Sequence, residues 1–373
     1  MNNRTSILLS LTIFLLGTAF FSETKQDSLR LLYSKPVAQW PKPTIDADIQ
    51  WQEFKVLPKI DTSYFSLMAQ PEVHLGKQLF FDPLLSGSNQ ISCSSCHDPE
   101  ISWTDKRAVA LGNDHLLGAR NTLSLLNVAQ RKTLFWDGRA LTLEEQAHSP
   151  IEAHHEMALD PKTISAKFSS IKGYRELFKA AYGDDQITYD RIVKALASFQ
   201  RTITSRQSRF DRFLSGDYKA LSDQEIEGLH LFRTKARCMN CHYGQYFTDE
   251  GFHNIGLTYY KRKYQDLGRY EITKNADDVG KFRTPSLRNV LNTSPWMHNG
   301  LFDNITGVIN IYNSGMHMID PTPEQKQKDP LYPITDQHLK PLQLSKTEIQ
   351  AIVAFLGSIT ATQYKMKRPN LIR

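Results

Sequence analysis

Two short stretches of the 373-residue chain concentrate side chains that can do redox chemistry. The first is Cys93-Ser94-Ser95-Cys96-His97, and the second, 145 residues later, is Cys238-Met239-Asn240-Cys241-His242. Both read Cys-x-x-Cys-His, the attachment pattern of c-type haem. The two thiols add across the vinyl groups of one porphyrin, and the adjacent histidine reaches the iron as axial ligand. All four cysteines of the chain fall in these motifs, so none is left over for a disulfide. A thioredoxin-like Cys-x-x-Cys does not account for the histidine that follows it twice. A zinc site would pair the two Cys-x-x-Cys units and leave both histidines idle. Two covalent haems are expected, on Cys93, Cys96 and His97 and on Cys238, Cys241 and His242.

Helices must hold these motifs in place. Gly76-Lys77-Gln78-Leu79-Phe80 resembles Gly228-Leu229-His230-Leu231-Phe232, and each stands shortly before a motif, so the chain contains a duplicated unit. Pro71 is a good first helical residue, and Ser222-Asp223-Gln224-Glu225 has the form of a capping box. Each unit also closes on a helical pattern. Ile192, Leu196, Phe199 and Ile203 recur at helical spacing in the first, with Val193 beside them. In the second, Ser345 to Glu348 caps a helix carrying Ile349, Ile352, Val353, Phe355 and Leu356. Strand signals are few. The fold class expected is mainly α, with two cytochrome c-type haem domains packed together behind an N-terminal extension. The boundaries read as 1–22 signal peptide, 23–70 extended lead-in, 71–216 N-terminal domain and 217–373 C-terminal domain. Pro36, Pro41, Pro43 and Pro58 argue against a long helix in the lead-in.

The totals narrow the function. Forty per cent hydrophobic residues suffices for globular cores. The formal charge of +6 is offset by the four propionates of two haems, and no long basic run is present, so nucleic acid is not an expected partner. Arg4 followed by an apolar stretch over 7–21 has the form and length of an export signal. A periplasmic location is expected, with an uncleaved anchor as the alternative. Export suits the cysteines, because c-type haem is attached outside the cytoplasm.

Two such units with Phe135-Trp136-Asp137-Gly138-Arg139 between their motifs resemble the bacterial dihaem cytochrome c peroxidase family, which includes the MauG-type branch. The resemblance spans roughly residues 72–360 in one colinear order. It is carried also by Leu79 to Asp82, Glu144 to Ala147, Phe282 to Asn289 and Pro295 to Gly300. It implies that the His97 haem reacts with hydrogen peroxide and the His242 haem relays electrons. The family places a glutamine and a glutamate ten and twenty residues after its tryptophan, positions held here by Gln146 and Glu156. Glu156 is then the acid/base and Gln146 its polar neighbour, while Trp136 is the inter-haem relay. His148, His154 and His155 have no role in this pattern. A calcium ion is also implied, bound by the Asn121 side chain and the main-chain carbonyls of Thr293 and Pro295.

Two positions depart from the usual peroxidase. Where a methionine commonly ligates the second haem the chain has Tyr312, as in the MauG-type branch, with Met316, Met318 or no protein ligand as alternatives. Where a distal histidine commonly blocks the first haem the chain has Asn113, with His115 two residues away. The function expected is reduction of hydrogen peroxide to water by an external donor such as a cytochrome c or cupredoxin. The rival is MauG-like oxidation of a partner protein's side chains, and a third reading is a non-catalytic dihaem electron carrier. A homodimer is a further expectation from the resemblance.

Overall fold

The computed structural model describes residues 25–316, 320–362 and 366–372. The apolar run at 7–21 lies outside them, and so does Met318. Among the described residues no helix is long and apolar enough to cross a membrane.

The chain is helical with long irregular connections. The lead-in carries α1 (Lys25–Tyr33) and α2 (Thr62–Met68). The first motif unit contributes α3 (Pro71–Phe81), the one-turn α4 (Cys93–Cys96), α5 (Leu143–Glu152), α6 (Ile164–Ser169), α7 (Lys172–Tyr182) and α8 (Tyr189–Gln200). After α9 (Arg209–Leu214) the second supplies α10 (Asp223–Arg233), α11 (Tyr270–Thr273), α12 (Ile305–Asn313), α13 (Pro323–Lys328) and α14 (Lys346–Ser358). Among the described residues one sheet is present, pairing β1 (Phe252–His253) with β2 (Phe282–Arg283), antiparallel.

Each unit rests on a crossed pair of helices, and the same residues make both crossings. On α3, a Cβ at Gly76 would lie inside contact distance of the Ala195 carbonyl oxygen of α8; Gly228 of α10 stands in the same relation to Ala351 of α14. Only glycine lets the backbones approach so closely. One turn on, Phe80 meets Phe199 edge-on at 5.2 Å, and Phe232 meets Phe355 at the same distance. Capping boxes at Ser222 and Ser345 start α10 and α14 as their sequences imply.

Two segments cross the boundaries read from the sequence. The lead-in is not simply extended. Its prolines exclude a long helix, but nine residues ahead of Pro36 suffice for α1, which buries Leu29 and Tyr33 in the second core. Trp40 packs there against Tyr33, with ring centroids 5.0 Å apart. The C-terminal tail runs the other way. Met366, Leu371 and Ile372 pack on the first core, and Arg368 pairs with Asp98 at 2.9 Å. Apolar side chains past α14 find cover on the opposite unit.

Candidate active site

The local backbone around each motif turns its histidine in the same way. Nδ1 of His97 donates to the Trp103 carbonyl (3.1 Å), and Nδ1 of His242 to the Phe247 carbonyl (2.9 Å). That bond selects the tautomer whose Nε2 lone pair is available to a metal. Burial holds both imidazoles below their ordinary pKa, and so in the neutral ligating form. Burial likewise pushes the thiols of Cys93, Cys96 and Cys238 up to about 12.

Both motifs open on one continuous cavity of about 1320 Å³ at the junction of the two units. Its wall includes buried nitrogens without a hydrogen-bond partner among the described residues: Arg283 Nη1, Arg237 Nε and His298 Nε2. Unpaired buried donors cost free energy unless a ligand satisfies them. An apolar chamber with two Cys-x-x-Cys-His motifs and arginine N–H groups left without a hydrogen bond fits two haems with their propionates.

On the His97 side the cavity receives Gln146 from α5 and Glu156 from the turn after it. The α5 helix starts on a Thr142 cap and carries Pro150 inside it. Burial raises the Glu156 carboxyl above the usual range, partly opposed by the charges of His155 and Arg139. The carboxylate is near enough to Cys93 and Cys96 to raise both thiols. His155 borders the same cavity, 3.7 Å from Glu156. His115 is exposed on its loop and does not line the cavity, whereas Asn113 is buried and its amide donates to the Glu156 carbonyl (2.8 Å).

Trp136 is buried at the seam. Its Nε1 donates to the Asn121 carbonyl (2.9 Å) and its own carbonyl accepts from Arg283 of β2 (2.8 Å). Arg120 bridges Asp137 (2.5 Å) and Asp266 (2.7 Å), which ties the Trp-Asp-Gly-Arg stretch to the second unit. Asn121, Thr293 and Pro295 all border the cavity. The Asn121 Nδ2 donates to the carbonyls of Arg107 and Ala108 at 2.9 and 3.3 Å, turning Oδ1 the other way.

On the His242 side α12 presents Tyr312, whose hydroxyl burial drives well above the ordinary phenol value. Met316 is buried but does not line the cavity. One cluster here had no clear signal in the sequence. His253 borders the cavity between Asp249 (2.8 Å) and Asp336 (2.5 Å). The Asp249/His253 spacing is local, but Asp336 lies 83 residues away, so the triad is invisible without the fold. Arg120 and Asp266, 146 residues apart, were hidden for the same reason.

Known proteins share this plan. A family model described as Di-haem cytochrome c peroxidase matches residues 70–219. The chain is 37% identical over 322 residues to the methylamine utilization protein MauG of Methylophilus methylotrophus, covering 85% of this chain and 91% of that protein. It is 32% identical over 393 residues to cytochrome-c peroxidase IdrP1 of Pseudomonas sp. (strain SCT), covering 97% and 94%. A solved MauG-like protein associated with microbial copper homeostasis superposes with a TM-score of 0.71 at 30% identity, covering 85% of this chain and 96% of that one. With two haem-attachment motifs facing one cavity and relatives of this extent, the chain belongs to the dihaem cytochrome c peroxidase family, MauG proteins included, and is an oxidoreductase with two c-type haems.

Proposed function

We propose that the protein reduces hydrogen peroxide to water at the His97 side of the cavity, using electrons from an external donor. The observation that carries this reading is Glu156, raised by burial, sharing one cavity wall with Gln146, His97 and both cysteines of the first motif. When bound, the haems supply the electron chemistry that a polypeptide lacks. The side chains supply the proton chemistry. Glu156 takes a proton from one peroxide oxygen and delivers it to the other, so that the departing oxygen leaves as water. Gln146 orients peroxide or water beside it, and Trp136 relays electrons between the two motif pockets. His115, exposed on its loop and off the cavity wall, is not proposed to block the first pocket. A bare electron carrier has no use for a distal acid, which argues against the third reading.

Tyr312 favours a second reading, MauG-like oxidation of a partner protein's side chains. A hard anionic phenolate would stabilise high oxidation states and suit storage of oxidising equivalents. We further propose a periplasmic location, a donor of the cytochrome c or cupredoxin type, a homodimer, and calcium held by Asn121 Oδ1 and the carbonyls of Thr293 and Pro295. Oxygen donors alone suit that ion.

Stopped-flow mixing of the haem-loaded protein with peroxide tests the main reading. Rapid peroxide loss with oxidation of a reduced cytochrome or small donor supports it. A long-lived oxidised state without donor supports the MauG-like alternative. Two six-coordinate ferrous haems inert to carbon monoxide would overturn both.

A further inference from the structure

The segment 258–266 is a closed loop at the cavity mouth. Asp266 N donates to the Thr258 carbonyl (2.9 Å) and Thr258 Oγ1 to the Asp266 carbonyl (2.5 Å), which pins its base. The tip reads Tyr259-Tyr260-Lys261-Arg262-Lys263-Tyr264. Tyr264 is 54% exposed and yet lines the cavity that the two motifs share. Its ring meets Tyr259 edge-on at 6.1 Å, and the Lys263 ammonium lies 5.0 Å over it. Tyr264 is also joined to the inter-motif tryptophan by an unbroken path. Asp266, two residues on, accepts two hydrogen bonds from Arg120 (2.7 and 2.8 Å). Arg120 in turn donates to Asp137 (2.5 Å), the neighbour of Trp136.

We propose that Tyr264 is a redox-active contact through which an external one-electron donor communicates with the cavity. The inference rests on the peroxidase reading. The Tyr264 phenol gives one electron inward, toward Trp136, and its proton to water, leaving a neutral phenoxyl radical. A donor electron and a proton from water then restore the phenol. Two such rounds supply two electrons; each releases one proton and regains one, so the two further protons with which one peroxide becomes two waters come from solvent. Lys263 over this ring and Arg262 over the neighbouring Tyr259 favour a donor protein with an acidic contact face, while Lys261 is paired with Asp329 (2.7 Å).

The haem-loaded protein should be mixed with peroxide without donor, freeze-quenched and read by electron paramagnetic resonance. A tyrosyl signal is expected, lost in Tyr264→Phe and kept in Tyr260→Phe. Tyr260 shares the loop but bonds Asp329 and does not border the cavity. Oxidation of an acidic reduced cytochrome should also slow in Tyr264→Phe, while the haem spectral response to peroxide stays unchanged. A signal that survives in Tyr264→Phe, or a haem response with no tyrosyl signal in the unmodified protein, overturns the assignment and leaves the peroxidase reading standing. Haem spectra indifferent to peroxide overturn both.

Discussion

Trp136 and His298 occupy the same place in the two halves of the chain and touch each other, ring to ring, at 6.4 Å and 74°. The equivalence is local and detailed. Thr122-Leu123-Ser124-Leu125-Leu126-Asn127-Val128 repeats 162 residues later as Thr284-Pro285-Ser286-Leu287-Arg288-Asn289-Val290. Nine residues past each asparagine stands Trp136 or His298, inside a turn closed by Leu134 with Ala140 or by Trp296 with Phe302. The contacts are reciprocal too. Asn121 N donates to the His298 carbonyl (2.7 Å), and its counterpart Arg283 N donates to the Trp136 carbonyl (2.8 Å). Equivalent residues bonding each other's partners is how a symmetric dimer meets its copy. The two haem units join in that manner, and the tryptophan lies on the join.

That position makes Trp136 the residue to change first. Trp136→Phe should keep both haems and the first spectral response to peroxide, but slow electron exchange between the two haems. The lost Nε1 bond to the Asn121 carbonyl should cost about 0.5–1.5 kcal/mol of stability. Stopped-flow spectra resolved at the two haems measure the exchange. An unaltered inter-haem rate removes the tryptophan from the path.

Glu156→Gln should slow the reaction with peroxide by about 10²–10⁴-fold, the usual share of a positioned acid/base. Because burial holds the carboxyl above the ordinary range, the rate should rise with pH through that elevated value, as the ionised form needed to accept the first proton appears. The variant should lose this limb of the profile. Haem content, from the reduced absorbance, should stay constant; a rate and profile like those of the unmodified protein would refute the role.

Tyr312→Phe should alter the spectrum of one haem and leave the other untouched. Burial keeps the free phenol protonated, so a phenolate at this site requires a cation opposite it. Removing an anionic ligand should raise the potential of that haem. Redox titration followed at both haems reads the shift, and two unchanged potentials would exclude Tyr312 as ligand.

The parts of this architecture that were legible beforehand are those written locally. Cys-x-x-Cys-His carries its ligand next to its attachment points, and the glycine–phenylalanine pair of Gly76 and Phe80 sits one helical turn apart, so a repeat at Gly228 and Phe232 was visible. Hidden features were relationships between distant segments. Nothing near Arg120 announces Asp266, and nothing near Met366 says that it will cover the opposite core. The α1 helix is masked in the sequence by four prolines that dominate its surroundings, although each bars only its own vicinity. Gln146 and Glu156 had a different status. Their spacing from Trp136 meant something only through family resemblance, and the fold brings both to the cavity wall.

The buried triad around His253 gives the last prediction. Burial alone would lower the imidazole pKa, but the Asp249 and Asp336 carboxylates on its two nitrogens, together with the free Cys241 thiol beside it, carry it up to about 12. Thioether formation at Cys241 removes that residue's share and leaves the two carboxylates. A raised folded-state value means that the stabilisation is fully present below the unfolded histidine pKa, about 6.5, and is lost as pH climbs toward the folded value. His253→Gln leaves two carboxylates facing an uncharged amide and should destabilise the second unit by on the order of 3 kcal/mol near pH 6. The gap from the unmodified protein should narrow at pH 9. Denaturant unfolding followed at the His242 haem band measures it at both pH values, and a gap that is constant or grows with pH would show that His253 is not held as a cation.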